Sequence, residues 1–195
     1  MSTKRHSILP ALDRSGPKPP VHFSSSLTIS DNALLQGTHS ITVQSETVIH
    51  PRCKLESNLG SILIGRRCII AERAHVGARP ANQEAAQPGG VVVGDYVVVD
   101  AACVIEAGDT QVGEGTNIQV GSRIGSGAKI GKHCTISPKS VVAPGQVLPD
   151  FTTVYSNGLQ RRDKRDICEL HKLGLVKQLG VLRKLIASNP EKFKQ

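Results

Sequence analysis

Residues 112–148 read VGEGTNIQVGSRIGSGAKIGKHCTISPKSVVAPGQVL, in which Val112, Ile118, Ile124, Ile130, Ile136, Val142 and Leu148 stand six residues apart. A helix repeats every 3.6 residues and a strand every two, so neither gives a period of six by itself. A strand of a few residues followed by a corner does. The same spacing runs upstream through Ile29 and Leu35, then Val43, Ile49 and Leu55, then Ile64, Ile70 and Val76, then Val93, Val99 and Ile105, and downstream to Val154. Extra residues interrupt it after Leu35 (two), Leu55 (three), Val76 (eleven) and Ile105 (one). The interruptions fall between triplets, so three hexads make one structural turn.

A second regularity fixes the inward face. Two residues before the key aliphatic the side chain is small: Thr47, Cys53, Cys68, Ala74, Cys103, Thr110, Thr116, Ser122, Ala128, Cys134, Ser140, Thr152. Positions two apart share a face of a strand, so each strand points one large and one small side chain inward. Gly follows the aliphatic at positions 65, 77, 94, 113, 125 and 131, where positive φ is expected to turn the chain. Three strands and three corners per turn give a triangular prism whose stacked turns pair their strands in parallel, an all-β solenoid.

Composition agrees with a narrow core. Of 195 residues, 38% are hydrophobic and only 3% aromatic, so Ile, Val, Leu, Ala and Cys must fill the interior. There is no run of 18 apolar residues to span a bilayer and no apolar leader of the secretory kind, which predicts a cytoplasmic protein with reduced thiols and no direct membrane insertion. Net charge is +3 over residues 1–22, −1 over 23–158 and +6 over 159–195. A basic end suits an acidic partner, but the scarcity of aromatics for base stacking argues against nucleic acid.

The chain therefore divides into a Pro-, Ser- and Lys-rich leader at 1–22, expected to be disordered, a prism at 23–158 with a long loop at 79–90, and a basic helical segment at 159–195. In that segment Leu175, Leu179, Leu182 and Ile186 share one helix face, which predicts docking along a prism wall. Lys172, Lys177, Arg183 and Lys184 then form a candidate interaction surface on the outer side. Gly174 and Gly180 leave room for a kink or for two short helices. Asn189-Pro190 is expected to end the helical segment.

Period-six [LIV]-G-x-x-x-x repeats resemble the hexapeptide-repeat family over about residues 27–154. The resemblance implies a left-handed parallel β-helix of about seven turns, followed here by the C-terminal α-helical segment. Two enzyme groups share this fold, typically as homotrimers. The γ-class carbonic anhydrases bind zinc through three histidines, two of them in an H-x-x-x-x-H arrangement. His50, His75 and His133 lie in the prism, but no two are five apart. The acyltransferases use a histidine general base, and His75, just before the 79–90 loop, is the best candidate. Cys53, Cys68, Cys103 and Cys134 occupy small inward positions and form no C-x-x-C pair, which predicts packing rather than metal chemistry. The glycines of IGSG and VGEG follow the turn period and lack the strand-to-helix context of a phosphate loop.

TVIHPRCKLE (47–56), SILIGRRCIIAERAHV (61–76) and VYSNGLQRR (154–162) resemble the dynactin subunit six family, β-helix subunits of that complex's pointed end. That resemblance implies a non-catalytic structural protein with no catalytic, metal or cofactor site. It would be cytoskeleton-associated and would support dynein-driven, microtubule-based transport. Its partners would be a paralogous β-helix subunit, a pointed-end actin-related protein and a zinc-containing subunit. Ile118, Ile124, Ile130, Ile136 and Val142 are its expected core.

Overall fold

The computed structural model describes residues 16–80, 88–165 and 167–194. Most of the expected leader, residues 1–15, and most of the long loop, residues 81–87, lie outside the described residues. The rest forms three parallel sheets that wrap into a prism. The first wall stacks Val21–Phe23, Ile41–Val43, Ile62–Ile64, Val91–Val93, Thr110–Val112, Lys129–Ile130 and Val147–Leu148. The second stacks Thr28–Ile29, Val48–Ile49, Ile69–Ile70, Val98–Val99, Asn117–Ile118, Thr135–Ile136 and Thr152–Val154. The third stacks Leu34–Gly37, Lys54–Ser57, His75–Ala78, Val104–Glu106, Arg123–Ile124 and Val141–Val142. This is a left-handed β-helix of six full turns, with two strands of a seventh.

The register makes the period-six residues into ladders. On the second wall Ile29, Ile49, Ile70, Val99, Ile118, Ile136 and Val154 pair in sequence from turn to turn. All are buried, as are Ile124, Ile130 and Val142. Burying one such side chain stabilises by about 1.5–3 kcal/mol, and stacking repeats it along the axis. The sequence pattern missed the first strand, Val21–Phe23, where Phe23 stands in the ladder position otherwise held by aliphatics and pairs with Val43. The prism therefore begins before residue 23.

The small inward residues do more than fill space. Thr47 Oγ1 donates to the Gly65 carbonyl at 2.8 Å, Thr116 Oγ1 to Gly131 at 3.0 Å and Ser122 Oγ to Ser137 at 2.8 Å, each one turn on. The thiols behave alike: Cys53 Sγ donates to the Ala71 carbonyl at 2.9 Å and Cys68 Sγ to Gly94 at 3.1 Å. Burial pushes both thiols up to about 12, which keeps them protonated.

The turn glycines have a different cause from the one expected. Of the six after key aliphatics only Gly77 has positive φ, at 82°. The left-handed residue sits later in the corner and is usually not glycine, as at Glu46, Arg67, Tyr96 and His133. What the glycines provide is close stacking. A Cβ on Gly113 would lie 2.4 Å from the Gly131 carbonyl oxygen in the next turn.

Beyond the prism, Gln160–Arg162 folds back antiparallel on Thr152–Val154 and covers that end of the second wall. A single α-helix, Cys168–Leu185, then returns along the same wall. Neither Gly174 nor Gly180 breaks it, since both face open space. Leu175 and Leu179 are buried against Val48 and Ile69, with Tyr96, Val98, Leu182 and Ile186 around them. The helix stops at Leu185, before Asn189. Ser188 bridges Ser30 antiparallel and its hydroxyl accepts from the Ile29 amide at 2.9 Å, so the tail covers the opposite edge of the second wall.

Candidate functional site

Lys54–Ser57 and His75–Ala78 are neighbours on the third wall, with Lys54 paired to His75 and Leu55 to Val76. Leu55 and Val76 point inward, so period two sends Lys54, Glu56 and His75 outward. Glu56 is nevertheless almost covered, at 7% exposure, because four side chains close over it. Its Oε2 accepts from Lys54 Nζ at 2.6 Å and from His75 Nε2 at 3.0 Å. Its Oε1 accepts from Asn58 Nδ2 at 2.8 Å and lies 3.6 Å from Arg79 Nε.

The electrostatics follow from this packing. Burial alone would raise the Glu56 carboxyl, but hydrogen bonds from Lys54 and Asn58, with the charges of Lys54 and His75, hold it below the usual carboxylate range. Burial lowers the His75 imidazole and the Lys54 charge adds to that, against the opposing pull of Glu56. His75 is therefore neutral near pH 7, its Nε2–H donating to Glu56. Nδ1 makes no hydrogen bond among the described residues and keeps its lone pair. An imidazole fixed by a carboxylate on one nitrogen and free on the other is the arrangement a general base requires.

A second buried carboxylate lies on the same wall. Glu106 accepts at Oε1 from Arg123 Nε at 2.8 Å and at Oε2 from the Ser126 amide at 3.1 Å. It borders a cleft of about 670 Å³ lined by Pro80, Glu106, Asp109, Arg123, Ser126 and Lys129, among others. Arg79 lies 3.6 Å from Glu56 and the next residue, Pro80, lines the cleft, so the Arg79-Pro80 dipeptide links the two, while His75 and Glu56 are not among the cleft's lining residues.

The structure does not bring the three candidate histidines together. His75 is on the third wall. His50 follows Val48–Ile49 at a corner, where burial lowers its pKa against the opposing charge of Glu72 and its Nε2 is buried without a partner among the described residues. His133 is a corner residue with φ 53°, stacked on Phe151 at 5.4 Å between ring centroids. Of the candidate interaction surface, Lys177, Arg183 and Lys184 are exposed, but Lys172 is turned inward. Its Nζ lies 2.9 Å from Glu114 and 5.3 Å from the centre of the Tyr96 ring, so it latches the helix to the prism and does not face solvent. Cys168 is half-buried at the start of the helix.

Sequence reasoning missed Glu56 and Glu106. A signal was present. Both directly follow a key aliphatic, Leu55 and Ile105, where Gly77 and Gly125 stand on neighbouring turns of the same wall.

Comparison with known proteins agrees with the fold. Residues 109–144 match the family model "Bacterial transferase hexapeptide (six repeats)". That span is the part of the prism where the period-six repeat runs without interruption. A hexapeptide transferase family protein from Anaplasma phagocytophilum is similar in structure, with TM-score 0.68 and 16% identity over 87% of this chain and 95% of that one. A putative acetyltransferase from Bacillus cereus gives 0.70 and 19% over 87% and 98%. No curated protein matches the sequence. These findings correct the dynactin reading. The family model and both structures carry transferase names, and the expectation of a non-catalytic subunit that is not an enzyme is overturned in favour of the hexapeptide-repeat enzyme alternative.

Proposed function

We propose that this hexapeptide-repeat chain is an acyltransferase in which His75 is the general base and Glu56 positions it. The observation that carries the proposal is the 3.0 Å contact between His75 Nε2 and Glu56 Oε2. The transferase names of the family model and of the two similar structures support it further. The three-histidine zinc reading is without an observation of this kind: His50, His75 and His133 stand at separate places on one chain, and the set would have to be completed by a neighbouring subunit.

In this reading an acceptor amine or hydroxyl gives its proton to His75 Nδ1 as its nitrogen or oxygen attacks the carbonyl carbon of an acyl thioester. The new amide or ester bond forms, the carbon–sulfur bond breaks, and the thiolate leaves with the electron pair and takes up the proton. The Glu56 carboxylate faces Nε2–H and stabilises the imidazolium between the two proton transfers. The donor would sit in the cleft, whose charged lining is Glu106 and Asp109 against Arg123 and Lys129. Arg123 is committed to Glu106, whereas Lys129 is exposed and has no ion pair among the described residues. Lys129 would hold an anionic group of the donor.

The test is thiol release from acetyl-coenzyme A against a panel of amine and sugar-alcohol acceptors. Turnover that falls about 10²–10⁴-fold in His75→Gln, with folding unchanged, is the expected result. Absence of turnover with every acceptor, or full activity in His75→Gln, would overturn the proposal.

A further inference from the structure

The helix Cys168–Leu185 is apolar on two sides. One side holds Leu175 and Leu179 and is buried against the second wall. At 3.6 residues per turn Leu170, Leu173, Val181 and Leu185 fall on the opposite side. They are exposed by 69%, 60%, 57% and 74%. A helix that needed only to dock would carry polar residues there. Lys177 and Lys184 lie on this same outer side, and neither has an ion pair among the described residues. Arg161, exposed and likewise unpaired among them, pairs its backbone with Thr153, an outward position of the second wall, so it flanks the helix on the helix-bearing face. Glu169 is the acidic residue of the first turn, 3.5 Å from Lys172.

We infer that this ridge is a docking surface for an anionic lipid bilayer. The molecule would lie on the membrane and not cross it, and among the described residues no helix is long and apolar enough to span one. Three features select this occupant. The ridge is convex, a single helix raised on a flat wall, and suits a broad deformable surface. Large aliphatic side chains alternate with lysines, so the apolar groups can enter the headgroup layer while the ammonium groups stay at the phosphates. Glu169 is 3.5 Å from Lys172, which leaves Lys177 and Lys184 as the unpaired charge of the outer side, so a second copy offering the same helix would set these lysines against like charge, whereas an anionic surface gains about fivefold in partitioning for each nearby cation. The inference stands apart from the acyl-transfer reading, since none of these residues belongs to the His75 site.

The experiment is flotation of the full chain with phosphatidylcholine vesicles, with and without about 30 mol % phosphatidylserine. Binding to the anionic vesicles alone, weakened by salt, is expected. Lys177→Glu with Lys184→Glu should reduce partitioning at least tenfold, and Leu173→Glu with Leu185→Glu should abolish it. Both pairs are exposed, so thermal unfolding should be unchanged. Failure to float, equal binding to neutral vesicles, or wild-type binding by both double variants would overturn the inference. Concentration-dependent self-association lost in Leu173→Glu/Leu185→Glu, without vesicle binding, would overturn it in favour of a second copy.

Discussion

Replacing Gly113 by Ala tests whether turn glycines serve stacking or backbone freedom. The added Cβ would stand 2.4 Å from the Gly131 oxygen and 2.5 Å from its carbonyl carbon, both backbone atoms of the next turn. An ordinary carbon–oxygen contact is about 3.3 Å, so the turns must part locally by roughly 0.9 Å. The Gly113 amide donates to the Ile130 carbonyl at 2.8 Å, and a separation of that size takes the bond beyond hydrogen-bonding range. Overpacking costs about 1–3 kcal/mol and a lost buried backbone bond about 1–3 more, so Gly113→Ala should destabilise by roughly 2–6 kcal/mol. Gly145 is the control. Its φ is 68°, but a Cβ there meets nothing within 4 Å. Gly145→Ala should cost only the left-handed strain of about 1–2 kcal/mol. Urea unfolding of both variants, with the denaturant slope checked for constancy, gives the comparison. Equal losses, or a larger loss at Gly145, would refute the stacking argument.

Three further outcomes follow from the core and the charged wall. Ile130→Asp places a carboxylate in the prism interior and should cost several kcal/mol, visible as a lost or much lowered melting transition. Cys53, Cys68, Cys103 and Cys134 should resist alkylation in the native state and react after denaturation, since all four are buried and burial raises their pKa values. Fast native labelling would contradict the inward assignment. The Glu56 carboxyl is held below its ordinary 4.5, so its share of stability is present above that pH and is lost as pH falls through the lowered folded value. Glu56→Gln should flatten the acid limb of stability against pH, and an unchanged limb would show that Glu56 does not contribute there.

Much of the fold was legible because the solenoid repeats one local rule. Every sixth aliphatic and the small residue two before it specify an inward face, and the breaks between triplets mark turn ends. From those breaks alone Leu55 aligns with Val76 and Lys54 with His75, as the register shows. The candidate site was half legible. His75 stood out beside the loop, but its partner did not, because a glutamate next to a core aliphatic has the composition of a solvated residue. Only the covering by Lys54, Asn58, His75 and Arg79 makes Glu56 buried, and that covering joins residues from two turns and a loop. Lys172 failed in the opposite direction. Sequence placed it with the outer lysines, whereas Glu114 and Tyr96, more than fifty residues earlier, draw it inward.

The acyl-transfer account is tested most directly by the pH dependence of thiol release from acetyl-coenzyme A in the wild type and in Glu56→Gln and His75→Gln. A neutral imidazole base whose pKa burial has lowered predicts activity that rises with pH through a limb below 6.5 in the wild type. Glu56→Gln should move that limb further down, because the carboxylate that favours the imidazolium is gone, and His75→Gln should remove the limb together with the activity. Wild-type turnover that persists in His75→Gln with the same pH limb would contradict the account.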